Sequence, residues 1–234
     1  MFSPLQDAEL LHGDCLELMA SLPACSVDVV LTDPPFSSGT RREAAKGVRK
    51  SMTRGVSDNE WFGSDSLTTN GFLFLMRSCA LQWNRVLAPG GHVLCFIDWR
   101  MEATLADAIE SADLRRSGLI VWDKTYFGMG SCFRNQHELI LHFTKGIGRE
   151  PLRRDVGNVI RAKPVRNGDH PTEKPDDLLG TLIEVTCPVG GTVLDPFFGS
   201  GSTGVAATTR GRRFIGVERQ AEYLSVAKQR LGLT

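Results

Sequence analysis

The sequence predicts a doubly wound α/β fold, a mostly parallel seven-stranded sheet with helices on both faces. Three observations predict it. Short apolar runs alternate with longer helical patterns along nearly the whole chain, as strand–helix–strand crossovers require. A strand-like run ending in Asp195 leads through a glycine-rich turn into a helical pattern. No repeat, low-complexity tract or Pro/Ser-rich linker divides the 234 residues, so one domain is expected over residues 1–234.

The elements follow in order. Residues 9–12 and the β-branched run 27–32 (Val27-Asp28-Val29-Val30-Leu31-Thr32) read as strands, with a helix over 15–22 between them. A long helical pattern covers 67–87, Leu87-Ala88-Pro89-Gly90-Gly91 turns it, and 92–97 is an apolar strand. A helix over 100–111 precedes strands at 119–122 and 138–143. The last part reads as helix 176–187, strand 192–194, helix 202–209, strand 214–217 and helix 221–231.

Composition narrows the function classes. The chain carries 27 Lys plus Arg against 27 Asp plus Glu and is 41% hydrophobic, which excludes global disorder. Its most apolar stretch, 71–81, is broken by Arg77 and is far short of the roughly 20 apolar residues a bilayer needs. No membrane contact or secretory signal is expected, and the default compartment is cytoplasmic. The six cysteines stand singly, without metal or redox spacing, and no metal is expected.

Zero net charge hides an asymmetry. Residues 40–54 hold six basic side chains against one acidic, and residues 145–166 hold seven against two. Both segments are poor in large apolar residues and read as basic loop insertions, at about 37–66 and 145–169. Paired basic loops on an acidic body point to a polyanion such as DNA, with Arg41, Arg42, Lys46, Arg49 and Lys50 in one and Arg153, Arg154, Arg161, Lys163 and Arg166 in the other. Two solvated loops with incidental charge are the plain alternative.

Two motifs carry chemistry. In Asp195-Pro196-Phe197-Phe198-Gly199-Ser200-Gly201-Ser202-Thr203-Gly204 the glycines match GxGxxG between a strand and a helix, a turn that lets a ligand approach the backbone. The next strand ends in Glu218, 23 positions after Asp195, where a carboxylate can accept from ribose hydroxyls. Together they read as an adenosine-cofactor site. The second motif, Asp33-Pro34-Pro35-Phe36, closes the strand 27–32. Two prolines remove N–H donors and leave carbonyl acceptors, so Asp33 and the Pro34 carbonyl can take both hydrogens of an amino group while Phe36 offers a stacking face. A rigid turn with Phe36 in the core is the bland reading. The Gly-rich loop 126–135 is a candidate border for the target base, or a surface turn with Phe133 buried.

Together these residues resemble the DNA amino-methyltransferases, whose DPPY-type and FxGxG motifs appear here as DPPF and FFGSG. The order, catalytic motif first, is similar to that of the circularly permuted beta group. His170-Pro171-Thr172-Glu173-Lys174-Pro175, Leu87–Gly91 and His12-Gly13-Asp14-Cys15 also resemble family segments. The resemblance implies a Rossmann-like methyltransferase fold and methyl transfer from S-adenosyl-L-methionine to the exocyclic N6 amine of adenine in double-stranded DNA, with the target base flipped out. It implies Asp33, Pro34, Pro35 and Phe36 as catalytic residues, and Asp14, Cys15, Lys174, Asp195, Phe197, Gly199, Ser200, Gly201 and Glu218 as cofactor-binding residues. N4-cytosine methylation remains the alternative. Protein glutamine methyltransferases fit neither the acid nor the motif order, an NAD-dependent oxidoreductase leaves DPPF unexplained, and a non-catalytic DNA-binding module explains only the basic loops. The sequence leaves open a homodimer, the recognised DNA sequence and a companion restriction enzyme.

Overall fold

The computed structural model describes residues 8–35, 67–128, 132–165 and 173–233. Phe36, Arg41, Arg42, Lys46, Arg49, Lys50, Arg166 and residues 170–172 lie outside them, so the expectations placed on those residues are not addressed by the structure.

The elements run β1 (Ala8–His12), α1 (Cys15–Ser21), β2 (Val27–Thr32), α2 (Thr69–Val86), β3 (Leu87–Ile97), α3 (Glu102–Glu110), β4 (Arg115–Asp123), β5 (His137–Thr144), β6 (Val159–Arg161), α4 (Asp176–Thr186), β7 (Thr192–Asp195), α5 (Ser202–Thr208), β8 (Arg213–Glu218) and α6 (Ala221–Arg230). They form one open sheet of order β1-β8-β7-β2-β3-β5-β4-β6. Pairing is parallel from β1 to β3; only β5, inserted between β3 and β4, runs antiparallel to its neighbours.

Against the seven strands expected, the described residues hold eight. β6 pairs in parallel with β4, Val121 opposite Val159, inside the segment read as a basic loop. Three residues at a sheet edge produce little apolar pattern, and Arg161 masks the β-branched pair Val159-Ile160. β3 also starts earlier than expected, taking in Leu87–Gly91. Gly90 there has φ +76°, a left-handed conformation that glycine adopts at little cost.

The apolar runs exist because both faces of the sheet are buried. Along β3, Val93, Cys95 and Ile97 pack on one side with Met19 of α1, Trp83 of α2 and Leu105 of α3. Leu94 and Phe96 pack on the other with Leu178 of α4, Ala206 of α5 and Ala227 of α6. Helices α1–α3 therefore cover one face and α4–α6 the other. From β2 the chain winds one way through α2 to β3; from β7 it winds the opposite way through α5 to β8. The switch lies between β2 and β7, where such sheets bind ligands beyond their carboxyl ends.

Candidate active site

At that switch the two chemical motifs meet. Thr32, the last residue of β2, donates its hydroxyl to Asp195 Oδ1 of β7 at 2.8 Å. The Phe197 N–H donates to the same oxygen at 3.1 Å. Burial pushes the Asp195 carboxyl up to about 7, against hydrogen bonds from Thr203, Thr32 and Phe197 and with Asp33 adding to the rise. Asp195 is 2% exposed, so its role here is to brace the ends of β2 and β7 beneath the glycine loop.

The loop is tied to the next strand end. The Gly199 N–H donates to Glu218 Oε2 at 3.0 Å and the Gln220 N–H to Oε1 at 2.7 Å. Burial raises the Glu218 carboxyl, opposed by these backbone donors. A carboxylate has about four acceptor positions, so Glu218 keeps capacity for a hydroxyl of a ligand. Gly199 has φ +52°, and a Cβ there would meet nothing within 4 Å, so the backbone is open to a ligand. Gly201 differs: at φ +89° its Cβ would come within 2.9 Å of the Ala227 Cβ. Ser200 is buried, and the Arg230 guanidinium donates to its carbonyl and hydroxyl. Phe197 is partly buried against the α1–α3 core.

β1 closes this side. The Gly13 N–H donates to the Glu218 carbonyl at 3.0 Å. Asp14 caps α1, accepting from the Leu16 and Glu17 N–H groups, and Cys15 is buried with its sulfur 3.9 Å from that of Cys79. Through Glu218, which also binds Gly199, the Gly13 bond places the β1–α1 corner beside the glycine loop.

On the other side stands Asp33, followed by the buried Pro34. Lys174 donates to Asp33 Oδ2. Lys174 also lies 3.6 Å from Glu138 Oε2 and 5.0 Å from the centre of the Phe96 ring. Glu138 Oε1 accepts from Lys124 at 2.5 Å. Burial disfavours the Lys174 ammonium, but the charges of Asp33 and Glu138 outweigh it and raise its pKa. Burial likewise opposes the Glu138 carboxylate, and the two lysines hold its pKa below the usual carboxylate value. The resemblance implied Lys174 as a cofactor residue; the structure sets it against Asp33. Glu138 and Lys124 escaped sequence reasoning, their only signal being a carboxylate that opens the otherwise apolar run of β5.

Because β5 starts and β4 ends at the carboxyl ends of the parallel strands, an exposed rim borders this quartet. Trp99 follows β3 and Phe127 follows β4, while Phe133, expected in one reading to be buried, is 92% exposed. Arg100 lies 4.9 Å from the centre of the Trp99 ring and Arg134 4.1 Å from that of Phe127.

Among the described residues the second basic segment does not form one patch. Arg161 ends β6 on the Asp33 side and pairs with Asp123 at 3.2 Å, and Lys163 is exposed just beyond it. Arg153 bonds Asp155 and Glu184, and Arg154 pairs with Glu150. Glu184 is in the last turn of α4, which starts two residues after Lys174 and runs away from it. Arg153 and Arg154 therefore sit toward the opposite end of the sheet from Asp33.

Sequence comparison gives this arrangement a family. The profile of the DNA methylase family with N6 and N4 amino-methylating members matches residues 27–229. This chain belongs to that family. The methylase is 33% identical over 224 residues to "Putative methylase YubD" of Escherichia coli (strain K12), spanning 96% of this chain and 90% of that protein. Its fold is similar to that of M1.HpyAVI, solved as a complex with SAM, with TM-score 0.70, 22% identity and 96% and 99% of the two chains covered. It is also similar to the PvuII DNA methyltransferase, described as cytosine-N4-specific, with TM-score 0.75, 18% identity and 96% and 86% covered. Among the described residues no helix is long and apolar enough to cross a membrane, and no His/Cys/Asp/Glu group is arranged to hold a metal ion.

Proposed function

We propose that this methylase uses S-adenosyl-L-methionine to methylate the N6 amine of adenine in double-stranded DNA, with Asp33 and the Pro34 carbonyl as the acceptors of that amine. The observation that supports it most is the 2.8 Å bond between Thr32 and Asp195, which brings the acid–proline–proline turn against the glycine loop. The loop fits an adenosine cofactor: the open backbone at Gly199 admits a ligand and Glu218 retains acceptor positions for ribose. Gly201, Ser200 and Phe197 shape the loop, and Asp14 and Cys15 set the corner facing it.

S-adenosylmethionine, when bound, supplies an electrophilic sulfonium methyl group. The chain's part is to prepare the amine. An aromatic amine is a poor nucleophile because its lone pair is delocalised into the ring. Hydrogen bonds from its two N–H groups to Asp33 and the Pro34 carbonyl favour a pyramidal nitrogen and aim the lone pair, so positioning and electrostatics do most of the work. Pro35 stiffens the turn, and Phe36 supplies the stacking face. The target must leave the helix stack, at a cost of a few kcal/mol. The exposed Trp99, Phe127 and Phe133 with Arg100, Arg134, Arg161 and Lys163 form the DNA-facing rim on the Asp33 side, and Arg41, Arg42, Lys46, Arg49 and Lys50 supply further charge for phosphates.

Cytosine is the second reading, favoured by the fold similarity to the N4-specific PvuII enzyme. Incubation of the chain with DNA and methyl-labelled cofactor, followed by nucleoside mass spectrometry, tests the choice. N6-methyladenine supports the proposal; N4-methylcytosine replaces adenine with cytosine; no labelled base removes the activity.

A further inference from the structure

We propose that Lys174 is a positioning residue for methyl transfer, whose ammonium keeps the Asp33 carboxylate charged and aimed, and that Glu138 and Lys124 hold that ammonium in place. The inference rests on the function proposed above, because it takes Asp33 to be the acceptor of the target amine.

Three observations carry it. First, the Lys174 side chain is 10% exposed, yet its charge is retained by contacts to two carboxylates, Asp33 and Glu138. A buried ammonium is expensive unless it is paired and hydrogen-bonded, so this geometry is built rather than incidental. Second, Glu138 is itself anchored from the far side by Lys124, giving a chain Asp33–Lys174–Glu138–Lys124 in which charges alternate. Such a chain fixes the ammonium against two fixed anions instead of leaving it on a flexible stem. Third, the chain joins four separate segments: the end of β2, the segment before α4, the start of β5 and the end of β4. Each is at the carboxyl end of the parallel strands, and no local structural need of any one segment requires the others.

The reason for a cation beside Asp33 follows from its surroundings. Among the described residues Lys174 pairs with Asp33, with Glu138 and Lys124 beyond Lys174, and the charge of Asp33 raises the pKa of the buried Asp195 carboxyl and the buried Cys95 thiol. Near the carboxyls of Asp195 and Glu138, a carboxylate with no cation beside it is disfavoured, and protonation would cost it one acceptor. A protonated carboxyl would offer the amine a donor where an acceptor is needed. Lys174 supplies the opposing charge. Its ion pairs are with Asp33 and Glu138, and the affinity measurement below separates this role from cofactor binding.

The test uses the whole chain with Lys174→Met, Lys174→Arg and Glu138→Gln, each checked for folding by thermal melting. Cofactor affinity is read by calorimetry, methyl transfer as kcat and KM over pH, and the Asp33 carboxyl by carbon-13 NMR, assigned with Asp33→Asn. The expected result for Lys174→Met is cofactor affinity within twofold of the parent and kcat reduced about tenfold or more. The acid limb of the rate profile and the Asp33 titration should both move about one pH unit or more toward neutrality, the size an opposite charge within about 4–6 Å commands. Lys174→Arg should restore most of the loss, and Glu138→Gln, which removes one of the two anions that hold the ammonium, should lie between in kcat. An unmoved Asp33 titration in a folded Lys174→Met variant overturns the inference even if the parent transfers no methyl group, an outcome that would separately remove the proposed function. A large loss of cofactor affinity with kcat preserved also overturns it and returns Lys174 to the cofactor. If Lys174→Met does not fold, the titration in Lys174→Gln decides: no movement there sinks the account.

Discussion

Two alanine substitutions in the glycine loop should separate folding from binding. At Gly201 the backbone has φ +89° and a new Cβ would approach the Ala227 Cβ to 2.9 Å and its Cα to 3.2 Å. The left-handed conformation costs a non-glycine residue roughly 1–2 kcal/mol. Overpacking adds about 1–3 kcal/mol, because the second contact is with backbone of α6 and cannot rotate away. Gly201→Ala is therefore expected to lose about 2–5 kcal/mol of stability. At Gly199 the conformation is also left-handed, φ +52°, but a Cβ meets nothing within 4 Å, so only about 1 kcal/mol of conformational cost is expected. The same methyl would occupy the open space through which a ligand reaches the backbone. Gly199→Ala should then keep most of its stability and bind S-adenosylmethionine at least several-fold more weakly. Urea unfolding with comparison of slopes gives the stabilities, and calorimetry gives the affinities. Equal stability losses for the two variants, or parent affinity in Gly199→Ala, would refute the reading of this loop as packed at Gly201 and open at Gly199.

Other expectations follow from charge. His92 and His142 stack with Nδ1 and Nε2 3.0 Å apart, and burial with the neighbouring His142 and Arg149 lowers the His92 pKa to about 4. The unfolded chain then binds more protons than the folded one between pH 6.5 and 4. His92 thus contributes stability above pH 6.5 that is lost as pH falls through that window, on the order of 3 kcal/mol. Asp195, raised to about 7, acts with opposite sign over much of the same range, so the difference between parent and His92→Gln in urea midpoints is the quantity to follow; a flat difference from pH 4 to 7 contradicts the assignment. For DNA, neutralising Arg161 and Lys163 should flatten the log-log salt dependence of binding by up to about 0.9 per lost phosphate contact, whereas the Arg153 and Arg154 pair, at the other end of the sheet, should leave it unchanged. Equal slopes for the two double variants would undo that division.

How far the sequence reached depends on what burial does to each element. β2, β3 and β5 are legible because both faces are covered, so the strands become unbroken apolar runs; the helices show because each buries one stripe. β6 does not show, because an edge strand of three residues buries almost nothing of its own and its pairing with β4 is a tertiary event. In the site, Asp33, the glycine loop and Glu218 are legible since each follows a recognisable strand within a few residues. The Lys174–Glu138–Lys124 chain is not, because Glu138 reaches Lys174 only after β5 inserts antiparallel beside β3, a register that no local pattern encodes. Charge counting carries no geometry for a related reason: residues 145–166 hold a net excess, but the chain runs from one end of the sheet to the other within them, and Arg153 and Arg154 pair with Asp155, Glu184 and Glu150.

The central claim is that Asp33 acts at the reacting amine and not in holding the cofactor. The direct measurement is methyl transfer to DNA by the parent chain and by Asp33→Ala, with labelled S-adenosylmethionine, nucleoside mass spectrometry of the product, and calorimetric cofactor affinity on the same preparations. The account predicts N6-methyladenine from the parent and, in a variant that binds the cofactor within a few-fold of the parent, nearly complete loss of transfer, because the amine loses its acceptor in the transition state. Undiminished transfer by folded Asp33→Ala would contradict it.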